Sequence, residues 1–377
     1  MPPAISLHGA DAVLIVGDSE RNCDLFWATR FRAPDPFIYV ATADRAWVVV
    51  KDLELDRARQ QVRGAEVVAS SVYEKRLGDD SPPTGVLAEV LRERGLRRLL
   101  VAADFPVGTA DGLRAAGVEL RIAEGGLFPD RAVKSTVEID AIAGAQRAAE
   151  AGMQSAVDAL RSATIDGDWL VLDGEPLTSE AIRRRIHHTL LDHDCVAHHT
   201  IVAGGQQAID PHQAGYGPLR AHSLIIIDIF PQHTPSGYYG DITRTFVRGT
   251  IPPGGQKLYD TVARAQAAAL GQIRAGVDGH TIHKDVAAHF VAAGYDTGER
   301  DGRMQGFFHG TGHGVGLEIH EAPSLSRRAC VLQIDQVVTV EPGLYYAGLG
   351  GVRIEDLVVV EAHGCRNLTS FPKDLLL

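Results

Sequence analysis

The sequence predicts an α+β protein in two domains, a small α/β unit followed by a larger one whose buried strands carry acidic residues. Three observations support this. Short β-branched runs alternate with helical stretches in the first part of the chain, as in small α/β domains. A Gly-Gly pair and a proline then break the pattern at Gly125–Pro129. Beyond the break come a long amphipathic stretch and four apolar runs, each with an aspartate or glutamate in or beside it.

Taken in order, Ala12–Val16, Phe37–Ala41, Ala46–Val50 and Leu99–Ala102 are predicted strands, and Gly85–Arg94 is a predicted helix. The domain boundary is placed between residues 130 and 131. Over Val137–Ala163, Ile139, Ile142, Ala149, Met153, Val157 and Leu160 recur at helical steps, which predicts one long amphipathic helix. Further helices are expected at Ser179–Leu191, Gln256–Arg274 and Thr281–Ala293, the last two with Gly276 and Gly294 as stops. Leu224–Ile227, Val337–Val340, Val352–Ile354 and Val358–Val360 are expected as buried strands.

At 377 residues the chain can bury two cores, and 45 % hydrophobic with 23 % charged residues is the composition of an ordinary globular protein. A net charge of −11 argues against a nucleic-acid-binding surface. The basic stretches Arg92–Arg98 and Arg183–Arg185 are expected to be solvated helix faces. Cys23, Cys195, Cys330 and Cys365 form no C-x-x-C unit and are expected as reduced thiols. The opening MPPAISLHGADAVLIV has no basic region before its apolar stretch, so a secretory signal is not expected. No apolar run approaches the ~18–20 residues of a membrane span. These features point to a cytoplasmic protein without a membrane partner.

The chemistry concentrates between residues 228 and 355. Asp228 lies in LIIIDIF, Asp241 in GYYGDITRTF, His313 in HGTGHGVGLEIHE, Glu341 in VVTVEPGLYY and Glu355 in GVRIEDLVVV. Four carboxylates and an imidazole converging on one point would repel strongly without cations. Two divalent metals remove the conflict, as in hydrolases whose ions, roughly 3.5–4 Å apart, share and activate a water. Ligands of this type favour Mn, Co, Fe or Zn over Ca.

These blocks resemble the pita-bread metallopeptidases, the family that holds methionine aminopeptidase, aminopeptidase P and prolidase. The resemblance covers about the last two thirds of the chain. It implies a creatinase-type N-terminal domain before a pita-bread catalytic domain, two metal ions (manganese foremost, cobalt, zinc or iron as alternatives) and a homodimer acting on short proline-containing peptides. By the same resemblance Asp228 chelates one metal alone, Asp241 and Glu355 bridge, and His313 with Glu341 serve the other. Segment RAVKSTVEIDAI, with Arg131, Lys134, Glu138 and Ile139, resembles the opening of the catalytic domain. Residues 19–37 resemble a loop that in dimeric relatives approaches the partner's site, although its own residues indicate only a Pro-rich turn.

Three histidines become candidates beside the ligands. His320, in LEIHEAP, matches the histidine that stabilises the tetrahedral intermediate; His212, in IDPHQAG, matches the one preceding the first metal strand. His309, opening HGTGHG, is a candidate substrate contact. His309 and His313 are four apart, but glycines at 310, 312, 314 and 316 make a helical metal pair untenable; they fit close backbone approach at a cleft wall. Glu341 is expected to relay a proton as well as bind metal. Arg353, two residues before Glu355, faces the same side of a strand and is expected to orient a ligating carboxylate. Arg327 or Arg328 is the candidate for a substrate carboxylate.

No role is expected for His187, His188, His193, His198 or His199. His222, His233 and His363 are expected at the surface, and His280 and His283 at capping or solvent-facing positions. Asp228 and Asp241 stand thirteen apart, two more than is usual, and Ile229-Phe230 replaces the common D-x-G; PQHTPSG is therefore expected to be an enlarged hairpin connection. The expected activity is cleavage of the Xaa-Pro bond of dipeptides or short peptides. The alternatives are an Xaa-Pro aminopeptidase on longer peptides, methionine aminopeptidase, the metal-free creatinase reaction, or a non-catalytic member of the fold.

Overall fold

The computed structural model describes residues 6–78 and 84–377; the first five residues of the opening stretch lie outside them. The chain divides into two compact units, Met1–Arg131 and Ala132–Leu377. In the first, a six-stranded sheet runs in the order Glu66–Ala69, Ala46–Val50, Phe37–Ala41, Ala12–Gly17, Arg98–Val101, Glu119–Ile122. The three central strands pair antiparallel and the outer ones add in parallel. Its two faces bury separate apolar clusters because side chains alternate: Val13 and Ile15 enter one, Ala12 and Leu14 the other. The segment 19–37 holds more than a turn, since Asn22 caps a short helix at Cys23–Thr29.

The second unit repeats one construction twice. Helices Thr136–Ser162 and Ser179–Leu191 pack together on the sheet formed by Ile201–Gly204, Ile225–Ile229 and Ile242–Phe246. Helices Gly255–Leu270 and Gly279–Ala292 do the same on the sheet that contains Gly312–Gly314, Glu321–Leu325, Val337–Val340 and Asp356–Val360. The long helix starts where its sequence says: Ser135 accepts from the Glu138 amide, and Glu138 returns the bond to the Ser135 amide. Gly255–Leu270 ends earlier than expected, because Gly271 opens a tightened last turn with Gln272 and Ile273 bonding three residues back.

PQHTPSG is a hairpin connection, and it has strand structure of its own. Pro231–His233 pairs with Cys195–Ala197, and the His233 amide closes the turn on the Tyr238 carbonyl. No helix among the described residues is long and apolar enough to cross a membrane.

Candidate metal centre

Strand alternation puts the acidic residues on the faces away from the helices. Ile225, Ile227 and Ile229 enter the core beneath the long helix, so Asp228 points the opposite way. Val338 and Val340 enter the second core, which leaves Thr339 and Glu341 on the other side. Val352 and Ile354 do likewise and turn Arg353 and Glu355 together. Ile242 and Phe246 face the first core, so Asp241 and Thr243 face away from it. Two apolar cores thus hold these polar residues from behind.

They line a cleft of about 830 Å³ that Asp228, Asp241, His313, Glu341 and Glu355 all reach, together with His212, His309, His320 and Arg353. One donor atom each of Asp241, His313 and Glu355 lies within 4.8 Å of the other two. His313 Nε2 is 3.4 Å from Glu341 Oε1 and 3.7 Å from Asp241 Oδ2. All five sequence-expected ligands therefore come together.

The electrostatics fit a cation. Burial, with Glu341 and Asp228 adding repulsion, pushes the Glu355 carboxyl well above its ordinary value; Asp241 rises for the same reason, with Glu355 its largest charged neighbour. Glu341 rises to about 8, mainly through burial. His313 falls to about 3, again through burial, so its ring is neutral. Its Nδ1 lies 3.2 Å from the Gly314 carbonyl, which must accept; the proton is on Nδ1 and the Nε2 lone pair is free. Asp228 Oδ1 is buried without a hydrogen-bond partner. A neutral imidazole, a carboxylate oxygen without a hydrogen-bond partner and carboxyls raised by burial and mutual repulsion form a donor set suited to divalent metal.

A supporting layer fixes the donors. Arg353 Nη2 donates to Asp228 Oδ2 at 2.7 Å, so Asp228 is the carboxylate it orients. Arg353 Nη1 donates to the Tyr345 hydroxyl at 2.8 Å. His309 Nδ1–H donates to the Gly310 carbonyl, so its Nε2 accepts from the Tyr345 hydroxyl at 3.0 Å. Thr243 Oγ1 donates to Glu355 Oε2, Gln146 Oε1 accepts from the Asp241 amide, and Thr339 Oγ1 accepts from the His313 amide. Gly312 and Gly314 flank His313 because a Cβ at either would collide with the Thr339 or Ala322 backbone. Tyr345, Thr243 and Gln146 were not among the residues expected at the site. The period-two pattern marks Tyr345 and Thr243, but Gln146 looks like any polar residue on a long helix.

Several expectations change. His283 is buried, with Nδ1 3.0 Å from Thr311 Oγ1 and its ring against Phe307; the helix starts at Gly279 and turns it inward. His199, given no role, lines the cleft together with Phe230. Arg183 is part-buried and donates to the Ala214 and Gly215 carbonyls, which follow His212 in the chain. Arg327 and Arg328 are exposed and do not line the cleft, whose wall there is Ser324 and Ser326. His212 and His320 do line it, and the His320 ring stands edge-on to His313 at 4.4 Å.

The model of metallopeptidase family M24 matches residues 140–362. A putative dipeptidase, YkvY, of Bacillus subtilis is 28 % identical over 90 % of this chain and 88 % of its own. An Xaa-Pro dipeptidase of Pyrococcus furiosus is 36 % identical over 47 % of this chain and 49 % of its own, about half its length. Among solved structures, an Xaa-Pro dipeptidase from Bacillus anthracis superposes with a TM-score of 0.82 at 25 % identity, covering 98 % of this chain and 96 % of that one. An X-Pro aminopeptidase from Thermotoga maritima has a TM-score of 0.81 at 23 % identity over 98 % of both chains, which shows a shared fold. With the match over 140–362 and a pita-bread fold around the carboxylate cleft, the chain belongs to metallopeptidase family M24, in its prolidase and aminopeptidase P group.

Proposed function

We propose that this protein is a two-metal hydrolase of the Xaa-Pro bond in short peptides, with dipeptides as the leading substrate. The observation that carries it is the buried cluster of Asp241, His313 and Glu355, with Glu341 and the unpartnered Asp228 oxygen beside it. Asp228, Asp241, His313, Glu341 and Glu355 would hold the ions, manganese foremost, with Asp241 and Glu355 shared between them. Two divalent ions there would neutralise the carboxylates and activate a water for attack on a peptide carbonyl.

The chain's own groups supply the rest. Glu341, at the cleft wall with Oε1 3.4 Å from His313 Nε2, is assigned to take a proton from the attacking water and pass it on. His320, at the cleft surface beside His313, is assigned to stabilise the oxyanion, and His212 to the same region. Neutral His309, held by Gly310 and Tyr345, is a fixed substrate contact. Phe230 and Phe308 offer apolar walls for a prolyl ring. The dipeptide preference follows the names of the relatives, "Xaa-Pro dipeptidase".

A second reading, an aminopeptidase on longer peptides, is favoured by one observation. Among the described residues, the one guanidinium lining the cleft, Arg353, is engaged by Asp228 and Tyr345, and no other arginine or lysine lines it to meet a dipeptide's carboxylate. Hydrolysis of Ala-Pro, Ala-Pro amide and Ala-Pro-Ala by manganese-loaded protein separates the two. Cleavage of Ala-Pro with a higher KM in Arg327→Ala supports the dipeptidase with Arg327 as its cation. Cleavage of Ala-Pro-Ala alone supports the aminopeptidase, and cleavage of none of the three contradicts both.

A further inference from the structure

His320 stands at the end of an irregular stretch, residues 315–320, between the strands Gly312–Gly314 and Glu321–Leu325. The ladder shifts register just after His313, so sheet pairing alone does not fix where the His320 ring points. What lies behind the ring is a buried ion pair. Glu321 follows His320, and its side chain is 8 % exposed; it meets the Lys134 ammonium, which is 2 % exposed. The Lys134 amide bonds to the Asp335 carbonyl, and its ammonium also reaches the Ala132 carbonyl. The cation is therefore anchored from the segment that opens the long helix.

The Glu321 carboxylate is enclosed by the stretch it supports. It accepts from the Glu318 amide at 3.4 Å, and a Cβ on Gly316 would collide with both its oxygens. The Gly316 carbonyl in turn accepts from the Tyr239 amide, two residues before Asp241. A buried pair of this kind gives up hydration on both charges and is a weak stabiliser compared with apolar packing. Its location points to what it does: it fixes the backbone on both sides of the His320 turn.

We propose that Lys134 and Glu321 form a positioning pair that holds His320 against His313 in the geometry used for catalysis. The proposal rests on the role given to His320 above. The test is a double-mutant cycle of His320→Ala and Glu321→Gln on the metal-loaded protein, with Ala-Pro and Ala-Pro-Ala as substrates. Metal content and melting temperature are measured for each variant. A displaced catalytic group lowers turnover by about 10- to 100-fold. Glu321→Gln should therefore lower kcat by that factor, with KM within about twofold and metal content unchanged. In the His320→Ala background it should lower kcat by less than about twofold, because the group it positions is already gone. Lys134→Arg, which keeps the charge opposite Glu321, should retain most of kcat. If Glu321→Gln does not fold, the apolar pair Lys134→Met/Glu321→Met takes its place in the cycle.

Equal falls in both backgrounds, or wild-type kcat in Glu321→Gln while His320→Ala is impaired, would overturn the positioning role alone. Wild-type kcat in His320→Ala would overturn the role of His320, and the pair's role with it.

Discussion

Arg353 decides which oxygen Asp228 could offer to a metal. It binds Oδ2 and leaves Oδ1 buried and bare, so one oxygen is aimed while the other is offered. Arg353→Met should lower metal affinity by about 10- to 100-fold, the usual scale for losing a partner that orients a ligand. Tyr345→Phe, which cuts the link to His309 but leaves Asp228 held, should keep full metal occupancy and raise KM. Metal titration beside steady-state kinetics checks both, and a normal metal affinity in Arg353→Met would remove its orienting role. Glu341 gives a pH prediction for the metal-free protein. Its folded value of about 8 lies above the ordinary 4.5, so the folded state holds a proton that the unfolded state releases. That contribution to stability is complete below 4.5 and is lost as pH rises through about 8. The metal-free protein should therefore melt lower as pH rises across this window, and metal should reverse the trend while releasing protons. Calorimetric titration in buffers of different ionisation enthalpy counts them, and zero release at neutral pH would contradict the protonated empty site.

At the scale of the element, period-two alternation made most of the site legible. Ile225, Ile227 and Ile229 had to face a core, so Asp228 could not, and the same holds for Glu341 behind Val340 and Glu355 behind Ile354. The strand was expected to stop at Ile227 because the apolar run stops there, whereas the backbone ladder continues through Asp228 to Ile229. Side-chain polarity ends a run, but hydrogen bonding ends a strand. Gln146 and His283 were not legible because their partners, the Asp241 amide and Thr311, are brought to them only by the tertiary fold. Arg327 is a plausible residue type in the right loop, and the path of the chain leaves it exposed and outside the cleft wall. Arg244 shows how the strands are locked. It is fully buried, donates to the Thr243, Glu355, Phe371 and Pro372 carbonyls, and pairs with Asp356, which Lys373 also holds. Arg244→Met strands the Asp356 carboxylate with only Lys373 and Asn367, and should destabilise the fold by about 3–5 kcal/mol. Urea unfolding measures it, and a loss under about 1 kcal/mol would show that Lys373 suffices.

For the molecule as a whole, two helix pairs on two sheets give rigid backing to a centre whose empty form is electrostatically frustrated. The carboxylates of Asp228, Asp241, Glu341 and Glu355 share the cleft wall with Asp210 and the engaged Arg353 guanidinium, so the folded protein should be markedly more stable with metal than without it. Melting temperature should rise steadily with manganese concentration in the wild type and barely move in Asp241→Asn. The most direct measurement is metal stoichiometry by elemental analysis of the wild type, Asp241→Asn and Glu355→Gln, with Ala-Pro and Ala-Pro-Ala hydrolysis on the same samples. Two ions per chain are expected in the wild type, with a clear loss of metal in each variant and activity that falls with it. Two ions retained in either variant would contradict the assignment of that carboxylate to both metals, and an active wild type holding no metal would contradict the centre itself.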